Sequence, residues 1–352
     1  MGAHDEIYQG GKPVLVGVDV KSTYCYLLEA EDQCDETTWG AHLLDLTQRG
    51  LCPEHTIADG GRGLRAGQAA AWPSIPCHGD VFHAEAGLTK LVRYLENRAA
   101  ACASACQELE RKMARARKGR RGQSLSRKLA LARQEKARAR QLANDVALLT
   151  QWMSEDILAA AGPTLDVRQE LFDFLIQELR AREPLCPSHI GPVRRTLENQ
   201  RDDLLRFAAV LDRKIENISA QYNVPLYQVR GLCELQRLDK NLPHHWLTEA
   251  AWRKTLRGKF HVLEDAVIQA LAETPRASSM VENLNSRLRN YFFLRRHIGN
   301  DYLELLRFFL NHRRFLRSEH PDRVGKSPAE LLTGQNLPSW LELLGFPPSQ
   351  RN

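Results

Sequence analysis

The sequence predicts an α/β protein: a mixed sheet with helices on its faces, interrupted by a long all-helical segment. Two observations predict this. Residues 1–83 alternate short apolar runs with helical stretches, as strand–helix alternation requires. From Ala84 to about Glu273 the hydrophobic period becomes 3.6 and stays there. A third observation concerns charge: residues 111–140 hold thirteen Lys/Arg and one acid, Glu135. Such a block points to a polyanion, nucleic acid first, or else to a solvated basic helix face.

Each element has its own signal. "GAHDEIY" reads as a short, polar lead-in and "GG" at 10–11 as a turn. "KPVLVGVDV" and "STYCYLLEAE" read as neighbouring strands. "ETTWGAHLLDLTQRG" reads as a helix capped by Thr37 or Thr38 and ended by Gly50. "HTIADGG" is a short strand, "GLRAGQAAAW" a short helix and "PCHGDVFH" a further strand. Residues 86–118 and 124–150 predict two long helices joined by "GRRG" as a hairpin. Helices near 165–182, 190–220 and 247–272 follow, divided by prolines; 279–316 is another helical region, closed by "SPAELL" and "LPSWLELLG". The predicted division is 1–83, 84–273 and 274–352.

Composition sets limits. At 352 residues and 43% hydrophobic content the chain can build a sizeable core. Its eight cysteines show no metal-ligand spacing or paired framework, which fits a reducing compartment. No run has the length of a membrane span, and the N-terminus has no basic-then-apolar signal. These features predict a cytoplasmic protein without a membrane partner.

Several polar residues stand where a sheet exposes chemistry. Asp59 ends a strand before "GGRG", at the edge where α/β sheets carry sites, or is an Asx-turn residue. Asp19 ends the apolar run "PVLVGVDV", where an acid needs a partner or a metal, unless it belongs to the turn with Lys21 and Ser22. Asp5 lies in the polar "HDEIY" near the chain end and is the weaker candidate. Glu282, Asn285 and Arg289 fall on one helix face, suited to a metal ion and a phosphate, while Ser279-x-x-Glu282 also matches a capping box. Asp80 and His83 form an Asp-x-x-His at a strand end.

In this order the segments "VLVGVDVKSTYCYLL", "TIADGGRGL", "GDVFHAEAGL", "RASSMVENLNSRLRNYF" and "GKSPAELLTG" resemble a DDE transposase of bacterial insertion sequences. The resemblance implies a ribonuclease H-like mixed sheet with antiparallel first strands and a large all-α insertion. It implies Asp19, Asp59 and Glu282 as catalytic metal ligands, supported by Asp80, His83, Asn285 and Arg289. Asp19 is preferred because the core's central first strand should be apolar; Asp5 stays in reserve, because three strands should precede the first helix and only two are readable from Asp19. Two Mg²⁺ or Mn²⁺ ions are implied, hard cations that suit oxygen ligands, with no small-molecule cofactor.

The implied reaction is cleavage at the element's ends followed by strand transfer, by a homo-oligomer on the bacterial nucleoid. Arg287, Arg295 and Arg296 near the site, and Arg117, Lys118, Arg120 and Arg121 in the basic hairpin, are expected at DNA phosphates. Trp152, Trp246 and Trp252 are either base-stacking groups or core anchors. A helix-turn-helix module usually precedes such a core, whereas here a short lead-in does; end recognition is therefore expected from something upstream or from the insertion. Two rivals are a catalytically inactive DNA-binding scaffold and a nuclease on the same core.

Overall fold

The computed structural model describes residues 1–58, 60–115, 120–274, 276, 279–293, 298–318 and 320–347, with side chains except at 120–122, 279–280 and 282. The chain divides into two compact units, Met1–Phe82 with Pro275–Asn352, and His83–Thr274. In chain order the elements are β1 Gly2–Gln9, β2 Lys12–Asp19, β3 Cys25–Ala30, α1 Glu36–Gln48, β4 Thr56–Ala58, α2 Arg62–Ala71, β5 Cys77–Gly79 and α3 Val81–Arg115. Then come α4 Arg120–Trp152, α5 Leu165–Arg182, α6 Pro187–Tyr222, α7 Leu226–Leu235, α8 Pro243–Leu256 and α9 Phe260–Ala272. The closing elements are α10 Ser279–Phe293, α11 Asn300–His312, α12 Pro328–Thr333 and α13 Trp340–Leu343.

The first unit is a mixed α/β structure on a five-stranded sheet of order β3-β2-β1-β4-β5. Its middle strand is β1, the segment expected to be a lead-in, so that expectation is corrected. β1 and β2 form an antiparallel hairpin from Gln9↔Lys12 to Gly2↔Asp19. Gly10 and Gly11 turn it with φ of 58° and 85°, the paired positive φ that a two-residue type I′ loop demands. On its other side β1 pairs in parallel with β4, and β4 with β5.

Strand alternation sends successive β1 side chains to opposite faces. Ala3 and Ile7 join Val14, Val16 and Val18 in a core closed by Val281, Leu284 and Leu288 of α10 and Leu303 and Leu306 of α11. On the other face Leu15 and Leu27 pack with Trp39 and Leu43 of α1 and Leu64 of α2. There His4 Nε2 meets the Tyr26 hydroxyl at 2.8 Å, and Trp39 Nε1 donates to Glu6 Oε1 at 2.7 Å. Burial pulls the pKa of His4 down to about 3, so this imidazole is a neutral core group. The Tyr26 ring lies across Gly17, where a Cβ would come within 2.4 Å of it.

β3 forms one edge of the sheet, and α11 covers it. The Asn311 amide brackets the Cys25 backbone, accepting from its N–H and donating to its carbonyl at 2.8 Å each. Asn300 does the same at Ala30, at 2.8 and 3.3 Å. Two side-chain amides thus occupy edge groups that would otherwise recruit a foreign strand. Asp35, not Thr37 or Thr38, caps α1: its carboxylate accepts from Thr38 N–H at 2.9 Å.

In the second unit α3 and α4 pair antiparallel, with Arg98–Glu135 and Arg133–Glu110 ion pairs across the hairpin. α4 starts at Arg120, so "RRG" of the expected "GRRG" link is helical. The helix expected over 247–272 is broken at Arg257, whose φ is 50°, and α7 escaped the reading. A core of Leu211, Ile215, Leu232, Phe260 and Leu263 binds α6, α7 and α9 together. Trp252 packs against Gly231, a core anchor, while Trp246 is exposed and ties Nε1 to the Lys240 carbonyl. No described helix is long and apolar enough to cross a membrane.

Asn311 is buried, so Asn311→Ala would strand the Cys25 backbone groups; urea unfolding is expected to show a loss of about 1–3 kcal/mol. Glu330 supplies a pH-dependent test. It is 5% exposed and forms a capping box with Ser327, while accepting from Leu337 N–H at 3.0 Å and Arg314 at 2.8 Å. Burial raises its pKa, but these donors outweigh burial and hold it below the usual 4.5. A lowered folded pKa stabilises fully above the unfolded value and fades as pH falls through the folded one. The stability gap between wild type and Glu330→Gln is therefore expected to be widest near neutral pH and to close below about pH 4.5.

Candidate active site

The sheet places Asp5 in the middle of its middle strand, opposite Val16 and on the face that α10 covers. Asp5 is 5% exposed. Its Oδ1 accepts from Glu6 N–H at 2.8 Å, and its Oδ2 accepts from Asn285 Nδ2 at 2.5 Å. Asn285 stands in the stripe Val281, Leu284, Leu288, Phe292 that α10 buries. The polar member of a helix stripe thus meets the polar member of a strand face. The acidic partner requires the N–H end of that amide to face it. Among the described residues the Asn285 Oδ1 then has no hydrogen-bond partner, on a residue 0% exposed.

The neighbouring parallel strands align with this position. His4 is level with Ala58 and Ala58 with Gly79. Asp5, Asp59 and Asp80 are the next residue in each of the three segments. Asp80 is 2% exposed and caps the start of α3, its Oδ1 accepting from Phe82 N–H at 2.9 Å. Asp59 lies outside the described residues. Glu282 lies one helical turn before Asn285 on α10, and its side chain is not described.

The structural ground for preferring Asp19, a central first strand, belongs to β1 instead. Asp19 pairs with Gly2 at the far end of the hairpin. Three strand positions separate Gly2 from Asp5, about 10 Å, and the odd spacing puts the two side chains on opposite faces. Asp19 belongs to a turn: Oδ2 accepts from Ser22 N–H and Ser22 Oγ, both at 2.7 Å, and Oδ1 meets the Met1 ammonium at 3.3 Å. The expected turn with Ser22 is therefore present.

The other candidates divide. Arg289 is exposed one turn beyond Asn285. Arg287 is half-buried, its Nε without a partner among the described residues, and burial holds its pKa below the usual guanidinium value. His83 stands half-buried in the first turn of α3. Arg117, Lys118, Arg295 and Arg296 lie outside the described residues, and the Arg120 and Arg121 side chains are not described. In the basic hairpin Arg111, Arg115, Arg127, Lys128, Lys136, Arg138 and Arg140 are exposed and form no ion pair among the described residues.

Three His, Cys, Asp or Glu side chains grouped as a metal site do not occur among the described residues, which exclude Asp59 and the Glu282 side chain. The donors that are described suit a hard divalent cation. They are oxygen atoms, a buried carboxylate and a buried amide oxygen without a partner among the described residues. No protein-family model, no curated protein and no solved structure matches the chain.

Proposed function

We propose that the chain is a DDE-type DNA transposase, its first unit a ribonuclease H-like catalytic core with Asp5, Asp59 and Glu282 as the acidic residues. The Asn285–Asp5 contact carries this reading, because it fastens the helix that bears Glu282 onto the strand that bears Asp5. The strand order, antiparallel across β1–β2–β3 and parallel across β1–β4–β5, supports it too.

The three acids and the Asn285 amide oxygen would hold Mg²⁺ or Mn²⁺. Such ions supply Lewis acidity for an attacking oxygen and for the oxygen that leaves. Asn285 holds the Asp5 carboxylate in one orientation, and the surrounding core limits water around it. The unpaired cations of the α3–α4 hairpin bind DNA phosphates without reading sequence. DNA ends and target are the substrates, acted on by a homo-oligomer in the bacterial cytoplasm.

Cleavage of DNA carrying candidate element ends, in Mg²⁺, tests the assignment. Asp5→Ala, Asp59→Ala and Glu282→Ala are each expected to lower the rate at least about a hundredfold. Asp19→Ala is expected to cleave like wild type, with about 1 kcal/mol less stability from its lost turn. Full cleavage by Asp5→Ala would end this site assignment. DNA binding without cleavage of any end would favour the inactive scaffold.

A further inference from the structure

We propose that the cavity at the Gly2–Asp19 end of the sheet binds a small organic anion, a phosphate or carboxylate on an apolar body, between Arg49 and Arg307. The cavity lies within the first unit, and the site does not rest on the function proposed above. Its volume is about 480 Å³. A second cavity, of about 320 Å³, continues along β3 toward Glu29 and His42. Tyr26, Leu46, Arg49 and Arg307 line both, so the two guanidinium groups stand where the cavities meet.

Arg307 is the residue that calls for a ligand. Asn300, Arg307 and Asn311 recur on α11 at the spacing of one helix face, and all three reach the edge strand β3. The two asparagines accept from the Ala30 and Cys25 N–H groups at 2.8 Å. Arg307 is held far more loosely. Its Nη1 stands 3.4 Å from the Tyr26 carbonyl and 3.6 Å from Glu29 Oε1. Its Nε and Nη2 have no partner among the described residues. The side chain is only 19% exposed, so this charge is largely withdrawn from water without a close counter-ion. A guanidinium offers five N–H donors in a planar fork that matches two oxygens of a phosphate or carboxylate. Covering the strand edge accounts for the asparagines and leaves most donors of the arginine unused.

The rest of the lining defines the ligand. Arg49 pairs with Asp45 at 2.8 Å, an exposed pair one helical turn long and worth little in water. Asp19 also lines the larger cavity, but its carboxylate is taken by Ser22 and by the Met1 ammonium. Positive charge is therefore in surplus there. The remaining walls are largely apolar: Leu46, Leu51, Pro53 and the half-buried Tyr24. An inorganic anion would leave these walls in water, and an uncharged molecule would leave the arginines unmet. A molecule with both parts satisfies both, and the volume falls within the roughly 300–1,000 Å³ of small-molecule sites.

Alkylation of Cys52 reports on the site, because this thiol is exposed and lines the larger cavity, while Cys102 of the second unit serves as the reference. Phenyl phosphate supplies anion and body together, inorganic phosphate the anion alone and benzyl alcohol the body alone. At ten times its Kd, phenyl phosphate is expected to slow iodoacetamide alkylation of Cys52 in the full chain about tenfold and to leave Cys102 unchanged. It should bind at least about tenfold more tightly than either half, and benzoate in its place tells a carboxylate preference from a phosphate one. Arg307→Gln and Arg49→Gln should each weaken binding roughly tenfold, and Arg307→Lys should not restore it, since the charge returns without the fork. Arg49 is exposed, so Arg49→Gln keeps the test valid even where Arg307→Gln fails to fold. Absence of Cys52 protection by both phenyl phosphate and benzoate would overturn the site. Unchanged affinity in Arg49→Gln would do so too, as would benzyl alcohol binding as tightly as phenyl phosphate.

Discussion

The structure of the first unit depends on a polar pair where two apolar surfaces meet. Asp5 and Asn285 stand 280 residues apart in sequence and bond to one another at the interface of β1 with α10. A carboxylate removed from water costs several kcal/mol unless hydrogen bonds replace its hydration. Asn285 and the Glu6 N–H supply those bonds. The pair also fixes registry, because turning α10 by one residue would swing Asn285 about 100° away and set Leu284 or Ser286 against the carboxylate. Ala3 and Ile7 flank Asp5 on the same strand face, so apolar packing tolerates a slide of the helix, whereas the amide does not.

That constraint explains the composition of the middle strand. His4, Asp5 and Glu6 are three consecutive polar residues in the most enclosed part of a sheet. Each has its own partner: the Tyr26 hydroxyl, the Asn285 amide and the Trp39 indole. A shift of register by one residue would reverse every one of these side chains to the wrong face. The Gly10–Gly11 turn, with both φ positive, sets the register from the other end of the hairpin. The polar strand is therefore more narrowly specified than an all-apolar strand would be.

These partners also show why the site was only partly legible. β2 and β3 announced themselves through continuous apolar runs, and α1, α2, α5 and α10 through their period and punctuation. β1 did not, because its burial is supported by hydrogen bonds from residues 22, 33 and 280 positions away, which no local window contains. The preference for Asp19 followed from the rule that central strands are apolar, and β2 obeys that rule while lying one place from the centre. A usable signal did exist. The resemblance implies three antiparallel strands before α1, and "GG" at 10–11 between two extended stretches is a hairpin turn. The face shared by Glu282, Asn285 and Arg289 was legible from helical spacing alone; that Asn285 touches an acid was not.

A unit built from both ends of a chain must also close over whatever lies between them. Val81 N–H donates to the Arg276 carbonyl at 3.2 Å, so the chain leaves and rejoins the first unit at adjacent points. Loop-closure entropy grows only with the logarithm of the intervening length, and a separately folded insertion with adjoining ends adds less still. The second unit has such a core of its own, on α6, α7 and α9. The junction lies next to Asp80, the residue before Val81, and Asp80 follows the strand row that leads to Asp5. Acids and junction therefore share one end of the parallel strands, where side chains beyond the last paired row are released from the sheet and chain continuations leave it. The crossing from sheet to helix at Asp80 needs a cap, and its carboxylate supplies one to Phe82. One requirement of connectivity, a strand ending in a helix start, thus accounts for an acid at that edge without any catalytic role. Asp5 is different, since nothing in the local backbone calls for a carboxylate in mid-strand, and it is Asp5 that the amide of a distant helix reaches.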